Sequence, residues 1–320
     1  MQRRIMCPAL MLAATLAAEH GVAQQYPAKP IRMVVAFAPG GPNDVIARII
    51  GQKLTESFGY AVVIDNRPGA GGNVGTTLAA KAARDGYTLS MPGLHFVVNP
   101  SLFDSAGYDP LQDFAPVTLA AISPCLIAAH LTLPARDVRE LVQLAKDAKL
   151  DFGSPGTGTA GHLAGELLNM VAGIKMQQIP YKGAAPAVND LLGGQIKLAI
   201  TASPPTTPLV KAGRLRAIAV TSLQRSAALP DVPTVAESGY PGFSTDNMYG
   251  VVATAGTPRA VIEKLNREIV RIVQAPDMKE RLISQGYDPI GNSPQEFAAY
   301  LRSEFVKWQK VVKQTGIRVD

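Results

Sequence analysis

The stretch "GSPGTGTAGH" (residues 153–162) spaces Gly156, Gly158 and Gly161 as G-x-G-x-x-G. It follows a short apolar run and precedes "LAGELLNM", which reads as a helix. Free backbone N–H groups at such a turn, with the positive end of a helix behind them, bind anions. A dinucleotide is one candidate. Its fingerprint needs an acid about 20 residues further on to hold the ribose. Residues 173–189 contain no Asp or Glu, and the Gly-Lys-Ser/Thr of a phosphate-binding P-loop is absent. A smaller anion fits better, met by backbone and by the hydroxyls of Ser154, Thr157 and Thr159. No Lys or Arg lies between Gly156 and Gly161.

Three further loops have the same character. "FAPGGPND" (37–44) runs from Phe37 through Pro39, Gly40 and Gly41 to a helix with Pro42 at its first position. Asp44 is placed to reach back to the backbone N–H near Gly41, which makes it an organiser of the loop rather than an acid catalyst. "RPGAGGNVG" (67–75) and "MPGLHFVVNP" (91–100), with Gly93 and His95, complete the set. Any one of these alone reads equally well as a tight turn. Four at the carboxyl ends of strands read as a binding site. Catalytic chemistry has little support. Ser154 is followed by Pro-Gly, not by the x-Gly of a hydrolase elbow. His95, His130 and His162 are widely separated and no cysteine pair exists, so no metal site is expected. His162, at a helix start, reads as a hydrogen-bonded structural group or a donor on the pocket wall.

The elements that must position these loops alternate in type. Apolar runs at 31–37, 61–65, 87–91, 125–129, 150–153, 196–200 and 215–220 read as strands. Helical patterns lie between them near 43–57, 73–84, 136–148, 160–172, 184–192 and 206–212. Continuous apolar strands alternating with helices imply parallel α/β sheets. The last 60 or so residues are helical in pattern, with no strand expected among them. Residues 258–274 put Ile262, Leu265, Ile269, Ile272 and Val273 on one face. Ser293-Pro294-Gln295-Glu296 is a capping box opening a helix whose apolar side is Phe297, Leu301, Phe305 and Trp308. Two extended stretches, 114–130 and 242–256, exceed ordinary strand length. If both cross between two domains they form a hinge beside a cleft; the alternative is edge strands with loops, and periodicity does not separate the two.

Composition bounds the rest. Of 320 residues, 47% are hydrophobic and 18% charged, which suits a large core and not disorder. Arg3 and Arg4 precede an apolar stretch, Ile5–Ala18, too short to span a membrane, and "GVA" ends at Ala23. This is the pattern of a secretory signal cut before Gln24, with Cys7 lacking the context of a lipid anchor. Loss of residues 1–23 removes two Arg and one Glu, taking the net charge from +6 to +5. The remaining cations are scattered, so nucleic acid is not an expected partner. Cys125 then stands alone as a core thiol.

Taken in order, "YPAKPIRMVVAFAPGGPND", "VVIDNRPGAGGNVGTTLAAKAARDGYTL", "FGSPGTGTAGHLAGELL", "IPYKGAAPAVNDLLGGQI", "GRLRAIAVTS", "LPDVPTVAESG" and "GVVATAGTP" resemble the Bug (TctC-like) family. These are periplasmic substrate-binding proteins of tripartite tricarboxylate transporters. The likeness covers essentially the whole mature chain. It implies an α/β, two-lobed periplasmic-binding-protein fold, type II-like, with two hinge crossings and a ligand cleft between the lobes. Residues 24–125 with 241–320 would form lobe I, and 126–240 lobe II. It also implies a small carboxylate ligand, delivery to membrane permease subunits, no cofactor, no catalysis and a monomer. By position the ligand loops would be Phe37–Asp44, Gly93–His95, Ser154–His162 and Thr201–Ser203. Some members carry an acid in the last loop. Here it reads Thr201-Ala202-Ser203, which points away from amino acids and towards a mono- or dicarboxylate, aliphatic or aromatic. A periplasmic sensor is the alternative use of the same fold, and a small-molecule enzyme a more distant one.

Overall fold

The computed structural model describes residues 26–315. The signal segment and Cys7 lie outside the described residues. The chain opens with β1 (Ile31–Val35), α1 (Pro42–Phe58), β2 (Val62–Asn66), α2 (Asn73–Ala80), β3 (Thr88–Ser90) and α3 (His95–Leu102). β1 pairs in parallel with β2 on one side and β3 on the other. Then comes β4 (Phe114–Ala129), a 16-residue strand. A second run follows: α4 (Val138–Asp147), β5 (Asp151–Ser154), α5 (Ala160–Ala172), β6 (Gln177–Pro180), α6 (Ala184–Leu192), β7 (Leu198–Ala202), α7 (Thr207–Lys211) and β8 (Arg216–Val220). The chain returns through β9 (Asp246–Thr254) and ends in α8 (Arg259–Gln274), α9 (Pro276–Ser284), β10 (Asp288–Pro289) and α10 (Pro294–Thr315).

The long strand β4 joins two halves of one sheet system. From Phe114 to Pro124 it pairs antiparallel with β9. From Cys125 to Ala129 it pairs antiparallel with β7 and β8 instead. The expectation of purely parallel sheets is therefore corrected. Strands joined by crossover helices are parallel within each half, whereas β4 and β9 run antiparallel to their neighbours because each enters from the other half. β10 is a second departure: two residues among the C-terminal helices pair with β4 at Ala121 and Ile122.

The core follows the patterns that made the elements. Ile31, Met33 and Val35 pack under α1 (Ile46, Ile50, Leu54) and α8 (Leu265, Ile269). Leu126, Ala128 and Ala199 pack against Val188 and Leu191 of α6. α10 lays Phe297, Leu301 and Trp308 back on Phe96, Phe114 and Val252. Its capping box forms as the residue types require: Ser293 N donates to Glu296 Oε2 (2.8 Å) and Glu296 N to Ser293 Oγ (3.2 Å). No helix of the described residues is long and apolar enough to cross a membrane.

Candidate functional site

Four helices begin at one place. The starts of α1, α3, α5 and α6 border a cavity lined by Phe37, Gly41, Pro42, Asn43, Leu94, His95, Pro155, Thr159, Ala160, Gly161, Gly183, Ala184, Ala202 and Asn247. Among the described residues none of the four has a cap bond from its own N-cap side chain. The first-turn N–H groups left unbonded in α1, α5 and α6 are therefore open donors reinforced by a helix dipole, whereas in α3 Phe96 N and Val97 N already donate to Gly93 O and Leu94 O. The wall holds no Lys, Arg, Asp or Glu. An anion there meets oriented dipoles rather than a counter-charge.

The turns are held by side chains one helical turn further on. Asp44, 3% exposed, accepts from Gly40 N (2.9 Å), Arg48 Nε (2.9 Å) and Asn66 Nδ2 (3.0 Å). Although burial opposes its charge, the bonds from Arg48, Gly40 and Asn66 hold its carboxyl below the usual range. His162 serves α5 in the same way: Gly158 N donates to its Nδ1 (3.2 Å). Burial lowers its pKa to about 4, so the ring is neutral and, with Nδ1 accepting, Nε2 carries the proton. Both residues organise their loops, and neither borders the cavity.

The glycines of "GSPGTGTAGH" have separable tasks. Gly156 (φ +136) and Gly158 (φ +76) lie where L side chains are strained. Gly161 lets α5 approach β7: a Cβ there would stand 2.0 Å from the Ile200 carbonyl oxygen. Close helix–strand packing explains this third glycine without a pyrophosphate.

His95 is buried, and burial lowers its pKa to about 3. Its ring meets Phe37 edge-on at 4.8 Å, and Nε2 lies 3.4 Å from Thr76 Oγ1. The Thr76 hydroxyl donates to Gly72 O (2.9 Å), so Nε2 is the donor to Thr76 and Nδ1 is left an acceptor. A ligand hydroxyl or a bridging water suits Nδ1 better than a carboxylate oxygen. Asn247, on β9, accepts Leu94 N (3.1 Å) and so pins the start of α3.

Of the residues expected at the site, Phe37, Gly41, His95, Thr159 and Ala202 border the cavity. Gly156 and Thr157 border a second, outer cavity together with Phe37. Gly93 lies just behind His95 and Asn247. Pro39 and Gly40 are exposed. The hydroxyls of the remaining candidates are engaged elsewhere. Ser154 Oγ accepts from Gln178 Nε2 (2.7 Å), Thr201 Oγ1 turns to the Ala202 carbonyl (3.2 Å), and Ser203 Oγ donates to Gly286 O (3.0 Å). Gly183 and Ala184 escaped the sequence reading. The polar edge strand β6, "QQIP", gave no apolar run to mark a strand before them. The available signal was Gly183 followed by Pro186 in a helix's first turn, a looser version of the Gly41-Pro42 start, where the proline is the first helical residue.

An α/β fold whose two sheet halves share a long strand, with a cavity of helix starts, defines a two-lobed solute-binding protein. The sequence profile of the tripartite tricarboxylate transporter family receptor matches residues 46–317, and the chain belongs to that family. It is similar to the periplasmic binding protein BugD (37% identity, TM-score 0.87, covering 92% of this chain and 99% of that one). It is also similar to R. palustris Rpa4515 with adipate (35%, TM-score 0.89, 92% and 99%). The third is MatC from Rhodopseudomonas palustris with bound malate (31%, TM-score 0.85, 90% and 100%). The chain is thus a Bug/TctC-like receptor of the periplasmic solute-binding class.

Proposed function

We propose that this protein captures a small carboxylate in the periplasm and hands it to membrane permease subunits of a tripartite tricarboxylate-type transporter, without chemically changing it. The observation that carries this reading is the set of four helix starts around an uncharged cavity, three of them (α1, α5 and α6) with open first-turn donors. Hydrogen bonds to a charged acceptor contribute about 1.5–3 kcal/mol each and a helix end about 0.3–1 kcal/mol, enough in combination to replace an Arg clamp. The adipate and malate complexes of similar proteins support the same ligand class. In this reading residues 1–23 are an export signal. Residues 24–125 with 241–320 form one lobe and 126–240 the other; the change of β4 partners between Pro124 and Cys125 supports that division.

Calorimetric titration of the chain from Gln24 with small mono- and dicarboxylates, and with their uncharged amides, tests the function. Saturable binding of a carboxylate, no binding of its amide and recovery of the ligand unchanged are expected. Solution scattering with the bound ligand should show a smaller radius of gyration. Preference for the amide, or conversion of the ligand, refutes the reading.

A further inference from the structure

Next to the inner cavity lies an outer one of about 350 Å³, and the two share Phe37 and Pro155. One wall of the outer cavity is the loop Pro68–Gly72. The other is Pro155–Thr157 with Pro180–Lys182. Among the described residues Lys182 is the one formally charged residue bordering either cavity. It makes no ion pair or hydrogen bond among the described residues. Cations and hydroxyls nearby are already engaged: Arg48 by Asp44, Arg67 by Asp65, and Tyr181 OH by Asp190.

The backbone on both sides of Lys182 is held. Tyr181 N donates to Ser154 O and Gly183 N to Pro155 O, each at 2.9 Å. The same short segment therefore supplies a cation to the outer cavity and, at Gly183, a helix start to the inner one. From inside outwards the cleft presents open N–H donors, then an apolar collar of Phe37 and Pro155, then a wall that includes Thr157 and the cationic Lys182. That sequence of environments matches an anionic head, a methylene chain and a second anionic head.

Resting on the carboxylate reading above, we infer that the outer cavity is the subsite for a second anionic group, with Lys182 as its specificity-determining residue, so that the ligand is an elongated α,ω-dicarboxylate. Lys182 is exposed and does not shape the core, so Lys182→Met leaves the fold intact. The test titrates wild type and Lys182→Met with a chain-length series of α,ω-dicarboxylates and with monocarboxylates of matching length. Wild type should favour the best dicarboxylate over its monocarboxylate partner by about fivefold, the upper end of what an exposed ion pair supplies. Raised salt should shrink that preference. Lys182→Met should remove it, weakening the dicarboxylate about fivefold and the monocarboxylate less than twofold. If monocarboxylates bind but the variant treats both ligands as wild type does, or weakens both equally, the subsite is refuted and the carboxylate reading stands. If wild type binds neither, both fall.

Discussion

Asp246 opens β9 and faces Pro124, the last β4 residue paired with β9 before the partners of β4 change. Its Oδ1 is buried without a hydrogen-bond partner. Burial is the main influence and pushes its pKa from 3.8 to about 6; Lys307 opposes the rise while Glu304 and Asp288 add to it. A carboxyl that titrates near 6 in the folded chain and at 3.8 in the unfolded one destabilises the fold wherever it is ionised. The penalty is absent below the unfolded value, grows between the two, and is complete above about pH 6, where it is worth about 3 kcal/mol. Asp246→Asn keeps the shape and removes the charge. The variant should therefore be more stable than wild type by about 3 kcal/mol at pH 7–8, with the gap narrowing to about half of that at pH 5. His95 and His162 act in the opposite direction. Their folded values of about 3 and 4 lie below the ordinary 6.5, so the stability tied to their neutral forms is lost as pH falls through that range. That loss is common to both proteins and cancels in the difference. Urea denaturation of the pair at pH 5, 6, 7 and 8 reads the gap directly. A gap that does not change with pH, or a variant less stable at pH 7, refutes the reasoning.

Gly158→Ala would place a Cβ 2.1 Å from Asn99 Oδ1 at a φ of +76, so a stability loss of about 1–2 kcal/mol and at least tenfold weaker ligand binding are expected. A lower melting temperature with unchanged affinity would show that this contact does not form across a closing cleft. Ser293→Ala removes the cap of α10 and should cost about 1 kcal/mol in denaturant titration without touching ligand affinity. The intact mass of protein recovered from the periplasm should match a chain starting at Gln24; retention of Met1 or a lipid on Cys7 would refute cleavage at that position.

Much of the architecture was legible because it is local. α1, α5, α6 and α8 fall within a residue or so of their patterns, since an apolar stripe and a capping signal act over one helical turn. The reach of Asp44 back to its loop was legible for the same reason, the partners being four residues apart. Local signals failed where they were weak. Residues 95–102 form α3 although Pro100 lies inside it and no stripe marks it, because Phe96, Val97 and Val98 are all buried and the surrounding core stabilises the helix. β6 is a polar edge strand of four residues, stabilised by its ladder to β5 rather than by its own composition.

The site divides along the same line. The sequence by itself determined that the loops 37–44 and 153–162 end in helix starts, because glycine and proline act through their own φ angles and missing atoms; it marked neither α3 as a helix nor Gly183 as part of the site. It also determined the absence of a charged clamp in "GSPGTGTAGH". Only the tertiary structure decided that Gly183 shares the inner cavity while Thr157 faces the outer one, and that Thr201 and Ser203 turn away to the Ala202 and Gly286 carbonyls. It alone decided that β4 passes from one set of partners to another at Cys125. These outcomes depend on contacts between residues far apart in the chain, and no periodicity within one segment encodes which distant segment it will meet.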